Sequence, residues 1–240
     1  MNIILVYFAI KYKGDWDAIY KALENKEKVS HDDIKALEEK LETEKWKFIT
    51  IVDGNYPDKL KQAYKPPFCI FVKGDTELFK QKMIVASGDI AKGQTFEYIN
   101  QSLEAIEKNH FIINPFFKGI DQYVYKNHKK PSVYVLSCGI DKIPEYLNAT
   151  EKDLLVTEYP YGASPKKDYF RNRNRIIASL SENLILYSTE KNSKINHLVN
   201  EFLNLGKDIF CFPGSGNEEE GNFDFIKQGA RLITRVVDMQ

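Results

Sequence analysis

From Phe68 onward the sequence repeats one pattern: a short, almost unbroken apolar run, then a segment with helical spacing. The runs are residues 68–72, 83–86, 111–113, 133–136, 154–156, 184–187 and 209–212. Helical spacing of apolar residues fills 95–107, 120–127, 170–180 and 193–205. A strand of about five residues that is apolar on both faces needs cover on both faces, as in a parallel sheet between helical layers. Right-handed crossovers then give a Rossmann-like α/β three-layer sandwich with a mostly parallel sheet. Such sheets bind ligands at the carboxyl ends of their strands. The loops after the runs are therefore where function is sought.

The first part of the chain reads differently. Residues 15–23 and 30–41 have helical spacing, and Ser30 suits an N-cap with Asp33 three residues on. Residues 2–10 fit helix or strand equally, and 47–52 reads as a strand. Asn55-Tyr56-Pro57 and Pro66-Pro67 mark turns. The expected division is a small helical domain, 1–54, ahead of the α/β domain, 55–240.

Composition narrows the function classes. With 34 basic and 34 acidic side chains, a wholly basic chain of histone type is excluded, though nucleic acid needs only a local patch. No apolar run approaches the ~20 residues of a membrane span. The opening stretch has no basic start and no small-residue cleavage site, so no signal peptide is expected. Cys69, Cys138 and Cys211 are scattered among apolar residues, which suits reduced thiols in a cytoplasm. There is no Cys-x-x-Cys and no close pair among His31, His110, His128 and His197, so neither a metal nor a cofactor is expected.

Four loops carry the chemistry. Ser87-Gly88-Asp89, followed by Lys92-Gly93, is a small turn able to show backbone N–H groups to an anion, yet it lacks the GxGxxG spacing. Taken alone it reads as an ordinary tight turn. Lys118-Gly119-Ile120-Asp121 places a lysine at a helix start, against the helix dipole. A nearby anion would offset that cost; a solvated surface lysine is the plainer reading. The run from Lys166 to Arg175 is richer. Lys167, Arg171, Arg173 and Arg175 alternate with Tyr169, Phe170, Asn172 and Asn174 after Gly162 and Pro165. Arginine forks grip phosphate, asparagines reach base edges and aromatic rings stack on bases. Most charge runs are solvated faces, but the aromatic residues gain little on such a face. Helical spacing also puts Phe170, Arg173 and Asn174 on one side. Nucleic acid or nucleotide binding is the reading preferred here. In the fourth loop, Gly214-Ser215-Gly216 forms a second candidate phosphate cradle, with the solvated acids Glu218, Glu219 and Glu220 beyond it. A hydrolase would need a nucleophile with a base. No Gly-x-Ser-x-Gly elbow exists and no histidine lies in these loops, leaving only Asp121, Glu158 and Glu220 for acid–base work. No enzymatic activity is expected.

In order, the pieces resemble the DNA-processing protein A (DprA/Smf) family. The resemblance rests on Tyr56-Pro57-Asp58-Lys59-Leu60, Pro66-Pro67, Val72-Lys73-Gly74-Asp75 and Lys118-Gly119-Ile120-Asp121. It continues through Leu136-Ser137-Cys138-Gly139-Ile140-Asp141, Thr157-Glu158-Tyr159-Pro160 and the Phe170-Arg171-Asn172-Arg173-Asn174-Arg175 core, and closes with Phe212-Pro213-Gly214 and Gly229-Ala230. It spans 56–234. It implies an extended Rossmann fold behind a small helical domain of sterile-alpha-motif type. It also implies a cytoplasmic homodimer that protects incoming single-stranded DNA and loads the RecA recombinase during natural transformation. Lys167 would meet phosphate, Phe170 would stack on a base, and Arg171, Arg173, Asn174 and Arg175 would line the same pocket. Ser87, Gly88, Lys92, Lys118 and Gly119 would form its rim. The sequence departs from the family at Gly88, where the family's Gly-Ser-Arg carries its phosphate-gripping arginine, and at Asn114-Pro115, which replaces a Ser-Gly. No carboxy-terminal winged helix is expected. A looser likeness of the fourth loop to lysine-decarboxylase-like nucleotide phosphoribohydrolases gives an enzymatic alternative, and a diverged scaffold that no longer grips DNA is a third.

Overall fold

The computed structural model describes residues 2–89, 93–214 and 220–239. In chain order the elements are α1 (Asn2–Lys11), α2 (Trp16–Glu24), α3 (His31–Glu44), β1 (Lys47–Thr50), α4 (Asp58–Lys61), β2 (Cys69–Gly74), β3 (Met83–Ser87), α5 (Gln94–Asn109) and β4 (Phe111–Asn114). They continue with α6 (Ile120–Asn127), β5 (Ser132–Val135), β6 (Leu154–Thr157), α7 (Lys167–Leu180), β7 (Leu184–Leu186), α8 (Asn196–Asn204), β8 (Ile209–Cys211), α9 (Asn222–Lys227) and β9 (Arg231–Leu232). The chain divides into two compact units, Met1–Thr76 with Leu136–Arg173, and Glu77–Val135 with Asn174–Gln240. No described helix is long and apolar enough to cross a membrane.

The first unit holds the three amino-terminal helices and a small antiparallel sheet. Residues 2–10, undecided by pattern, are helical because Leu5, Val6, Phe8 and Ala9 all find cover. The helix closes as glycine allows: the Gly14 N–H reaches the Ala9 carbonyl at 2.9 Å, with Lys13 and Gly14 at φ 51 and 76°. Ser30 does cap α3, its hydroxyl accepting from the Asp33 N–H. Strand β1 pairs antiparallel with β2 (Phe48 opposite Phe71), and β2 antiparallel with β6 (Val72 opposite Val156). The expectation of parallel pairing therefore fails for these runs. The reason lies in the turn region around Pro57 and Pro66-Pro67: the Ile51 N–H bonds the Phe68 carbonyl at 3.0 Å, so β2 returns alongside β1.

The second unit is the parallel sheet. Its strands lie in the order β5-β4-β3-β7-β8-β9, every neighbour parallel. The chain starts at β3, builds outward through β4 and β5, then restarts on the other flank of β3 with β7. This is the doubly wound Rossmann order, and its topological switch point lies between β3 and β7. Ile84, Ile99, Leu103, Ile106, Ile112, Val124, Ile185 and Phe210 form the core beside it. Helix α6 begins and ends where the sequence pattern placed it.

Candidate nucleic-acid interface

The switch point is built by an interlock between two of the predicted loops. Ser87 ends β3, and its hydroxyl donates to Asp121 Oδ1 at 2.6 Å. The other oxygen, Oδ2, accepts the Phe117 N–H at 2.9 Å. Asn114 Nδ2 donates to the Asp121 carbonyl, and Asn114 Oδ1 accepts from the Phe116 N–H. Asp121 is fully buried. Gly119, at φ 86°, lies so close to the Asp89 carbonyl oxygen that a Cβ would sit 2.2 Å from it. A Cβ on Gly88 would meet Ser188 O at 2.5 Å and Ile120 Cδ1 at 2.6 Å. Thus Asp121 meets Ser87, Ile120 meets Gly88, and Gly119 meets Asp89. The Lys-Gly-Ile-Asp motif is first a device for closing the switch point, and it leaves Lys118 exposed beside it.

Residues following β7 complete this edge. The Asp89 N–H reaches Ser188 O at 2.7 Å, and Asp89 Oδ2 accepts the Glu190 N–H at 3.0 Å. Sequence reasoning missed the residue that ties the fourth loop down. Asn222 is fully buried, accepts from the Thr189 N–H and hydroxyl, and donates to the Tyr187 and Phe212 carbonyls. A single asparagine at the start of a short helix carries no periodic signal. The Glu220 carboxylate lies against Gly214, 2.1 Å from where a Cβ would be. The Glu220 carboxylate is thus a neighbour of the first residue of the candidate phosphate loop. Ser215, Gly216, Glu218 and Glu219, like Lys92, lie outside the described residues.

The basic run forms the greater part of α7, which starts at Lys167, one residue after Lys166 and earlier than the helical spacing showed. The reason is tertiary: the Tyr169 ring stacks on the buried Tyr159 at 3.7 Å, anchoring the first turn. Tyr169 is thus a packing residue. Lys167, Phe170 and Arg171 are exposed, Phe170 by 42%. The Arg173 guanidinium lies 5.2 Å from the Phe170 ring centroid, the spacing of a cation–π pair. Arg173, Asn174 and Arg175 are buried. Burial pushes the Cys138 thiol up to about 11, against the opposing charge of Arg173. Burial also raises Glu201, with Arg175 opposing. The carboxyl end of α7 is held by Lys207, whose ammonium donates to the carbonyls of Ala178, Ser179 and Ser181. Cations at that end suit the macrodipole; lysines at the amino end do not. An exposed amino-terminal turn bearing Lys167, Phe170 and Arg171 combines charge and a ring, which suits a phosphate with an attached base.

The structure thus brings together Ser87, Gly88, Lys118 and Gly119 in the second unit, and Lys167, Phe170, Arg171 and Arg173 in the first. Asn174 and Arg175 continue α7 into the second unit, and Gly214 follows β8 there.

The family model described as DNA recombination-mediator protein A matches residues 47–240. DNA processing protein DprA of Streptococcus pneumoniae is 28% identical over 211 residues, covering 82% of this chain and 74% of that protein. DprA of Bacillus subtilis is 28% identical over 207 residues, 80% of this chain and 69% of that protein. Protein Smf of Escherichia coli is 26% identical over 193 residues, 75% of this chain and 52% of that protein. The fold is that of S. pneumoniae DNA processing protein A, with a TM-score of 0.74 at 23% identity over all of this chain and 92% of that one. It is also that of the Helicobacter pylori protein, whose structure describes a single-stranded DNA binding mode, with a TM-score of 0.71 at 20% identity over 81% of this chain and 94% of that one.

Proposed function

The chain belongs to the DNA recombination-mediator protein A family, and from that premise we propose that it binds single-stranded DNA through the amino-terminal half of α7. The observation carrying this reading is the exposed trio Lys167, Phe170 and Arg171 at a helix start, with Arg173 over the Phe170 ring. Lys167 and Arg171 meet backbone phosphates, and Phe170 offers its face to a base. Lys118 adds charge at its own rim. The chain acts as a cytoplasmic homodimer without a cofactor, protects the strand and passes it to RecA recombinase. Residues 1–54 serve as the helical domain and 55–240 as the strand-binding domain. The reading is of a carrier rather than a catalyst.

Stacking is worth about 1–3 kcal/mol per base with little sequence preference. Phe170→Ala therefore weakens single-strand binding about fivefold or more while the chain stays folded, as circular dichroism and fluorescence anisotropy together show. Unchanged affinity in the folded variant overturns the assignment of Phe170.

A further inference from the structure

By composition the amino-terminal segment has no basic arm, yet one of its turns is seated beside the start of α7. Gly14, at φ 76°, packs so closely on the strand end after β6 that a Cβ would lie 2.6 Å from Glu158 O and 3.0 Å from the Tyr159 ring. The same Tyr159 ring carries Tyr169 at 3.7 Å, and the Tyr169 hydroxyl reaches back to the Lys13 carbonyl at 3.5 Å. Lys166 lies over the other part of this stack, its ammonium 5.4 Å from the Tyr169 centroid. Two lysines far apart in sequence thereby meet one tyrosine, Lys13 through its backbone carbonyl and Lys166 through its ammonium. Both are exposed, as is Lys167. Among the described residues none of these three has a carboxylate within ion-pair distance, whereas Lys11, Lys61 and Lys65 are paired with Glu27, Asp58 and Asp17. The nearby acids are accounted for locally or outnumbered: Asp15 caps α2 by accepting from the Ala18 N–H, Glu158 is buried, and Asp168 is outnumbered by Lys166, Lys167 and Arg171 close to it in sequence.

We infer that the strand-binding surface continues from α7 onto the α1–α2 turn, with Lys13 and Lys166 contacting phosphates beyond those held at Lys167 and Arg171. The tyrosine stack is the spine of this extension. It holds the turn in place and takes no part in contact with bases. This inference rests on the strand-binding reading above and adds to it a role for the helical segment.

The test is fluorescence anisotropy of the full chain with labelled oligo-thymidine of about 6 and about 16 nucleotides, within the span of strand-binding modules, across a salt series. Lys13→Asn removes the charge and keeps a residue that tolerates the left-handed backbone; Lys13→Arg retains the charge. With the longer strand, Lys13→Asn should lower the magnitude of the log K against log salt slope by about 0.7, the share of one phosphate on a single strand. Lys13→Arg should restore it, and Lys166→Gln should repeat the loss. With the shorter strand all variants should match the wild type. A wild type that binds the longer strand with the same affinity and slope as Lys13→Asn and Lys166→Gln overturns the extension alone. A folded wild type that binds neither strand overturns the underlying reading with it.

Discussion

A Cβ placed on Gly88 would lie 2.6 Å from Ile120 Cδ1. On its other side Ser188 O is 2.5 Å away, held there by the Asp89 N–H. Strands β3 and β7 therefore close over residue 88 at the switch point, with α6 pressed against the gap. The absence of an arginine here, a departure from the pattern the sequence otherwise resembles, is matched by neighbours that leave no room for a side chain.

Restoring that arginine is predicted to harm the chain. Gly88→Arg must displace backbone as well as Ile120, and overpacking of this kind costs about 1–3 kcal/mol. The urea midpoint should fall, and affinity for single-stranded DNA should not rise. A Gly88→Arg variant as stable as wild type with tighter binding contradicts the packing account.

Asp121 is the keystone of the same interlock. Asp121→Ala would strip the Ser87 hydroxyl and the Phe117 N–H of their acceptor, at about 1–3 kcal/mol for each buried group left unpaired. Equilibrium unfolding should show a loss of about 3 kcal/mol. Asp121→Asn, which keeps one acceptor, should lose less. Equal stability of Asp121→Ala and wild type would mean that the loop is closed by other contacts.

Tyr159 and Tyr169 should be energetically coupled. Stacked aromatic pairs are worth about 0.5–1.5 kcal/mol beyond the area they bury. A double-mutant cycle with Tyr159→Leu and Tyr169→Leu should return a coupling in that range. Additive losses would show that the stack does not hold the first turn of α7.

Some features were written in local pattern: Ser30 capped α3 as read, and α6 kept its limits. What the pattern left out was set by tertiary contact. Apolar runs do not encode strand direction, so the antiparallel pairing of β2 and β6 was missed. Residues 2–10 are apolar at almost every position, which removes the periodicity that separates helix from strand. Helix α7 begins at Lys167 because Tyr169 docks on Tyr159, more than two turns of sequence away. The basic run was legible as a candidate site; its split into exposed Lys167, Phe170 and Arg171 and buried Arg173, Asn174 and Arg175 was not, since burial is a property of the fold.

Stability should fall in alkali. Burial raises Cys138 to about 11 and Cys211 to about 12 from an ordinary 9.0, and raises Cys69 and Tyr187 further. In the window from about 9 to 12 the unfolded chain gives up these protons and the folded chain keeps them. Unfolding then releases protons, so stability is complete below pH 9 and is lost as pH rises through that window. Urea midpoints at pH 8, 9 and 10 should decline in that order, and iodoacetamide at pH 8 should label the thiols only on unfolding. Rapid labelling of the native chain would contradict the burial of these groups.

The most direct test of strand binding is anisotropy of labelled poly-thymidine and a matched duplex over a salt series, with wild type and the Lys167→Ala/Phe170→Ala double variant. Neutralising about three to five phosphates predicts a log–log slope of about −2 to −3.5 for the single strand, a preference for it over duplex, and loss of both in the folded double variant. A folded wild type that binds no single strand at low salt, or a double variant that binds as the wild type does, contradicts the account.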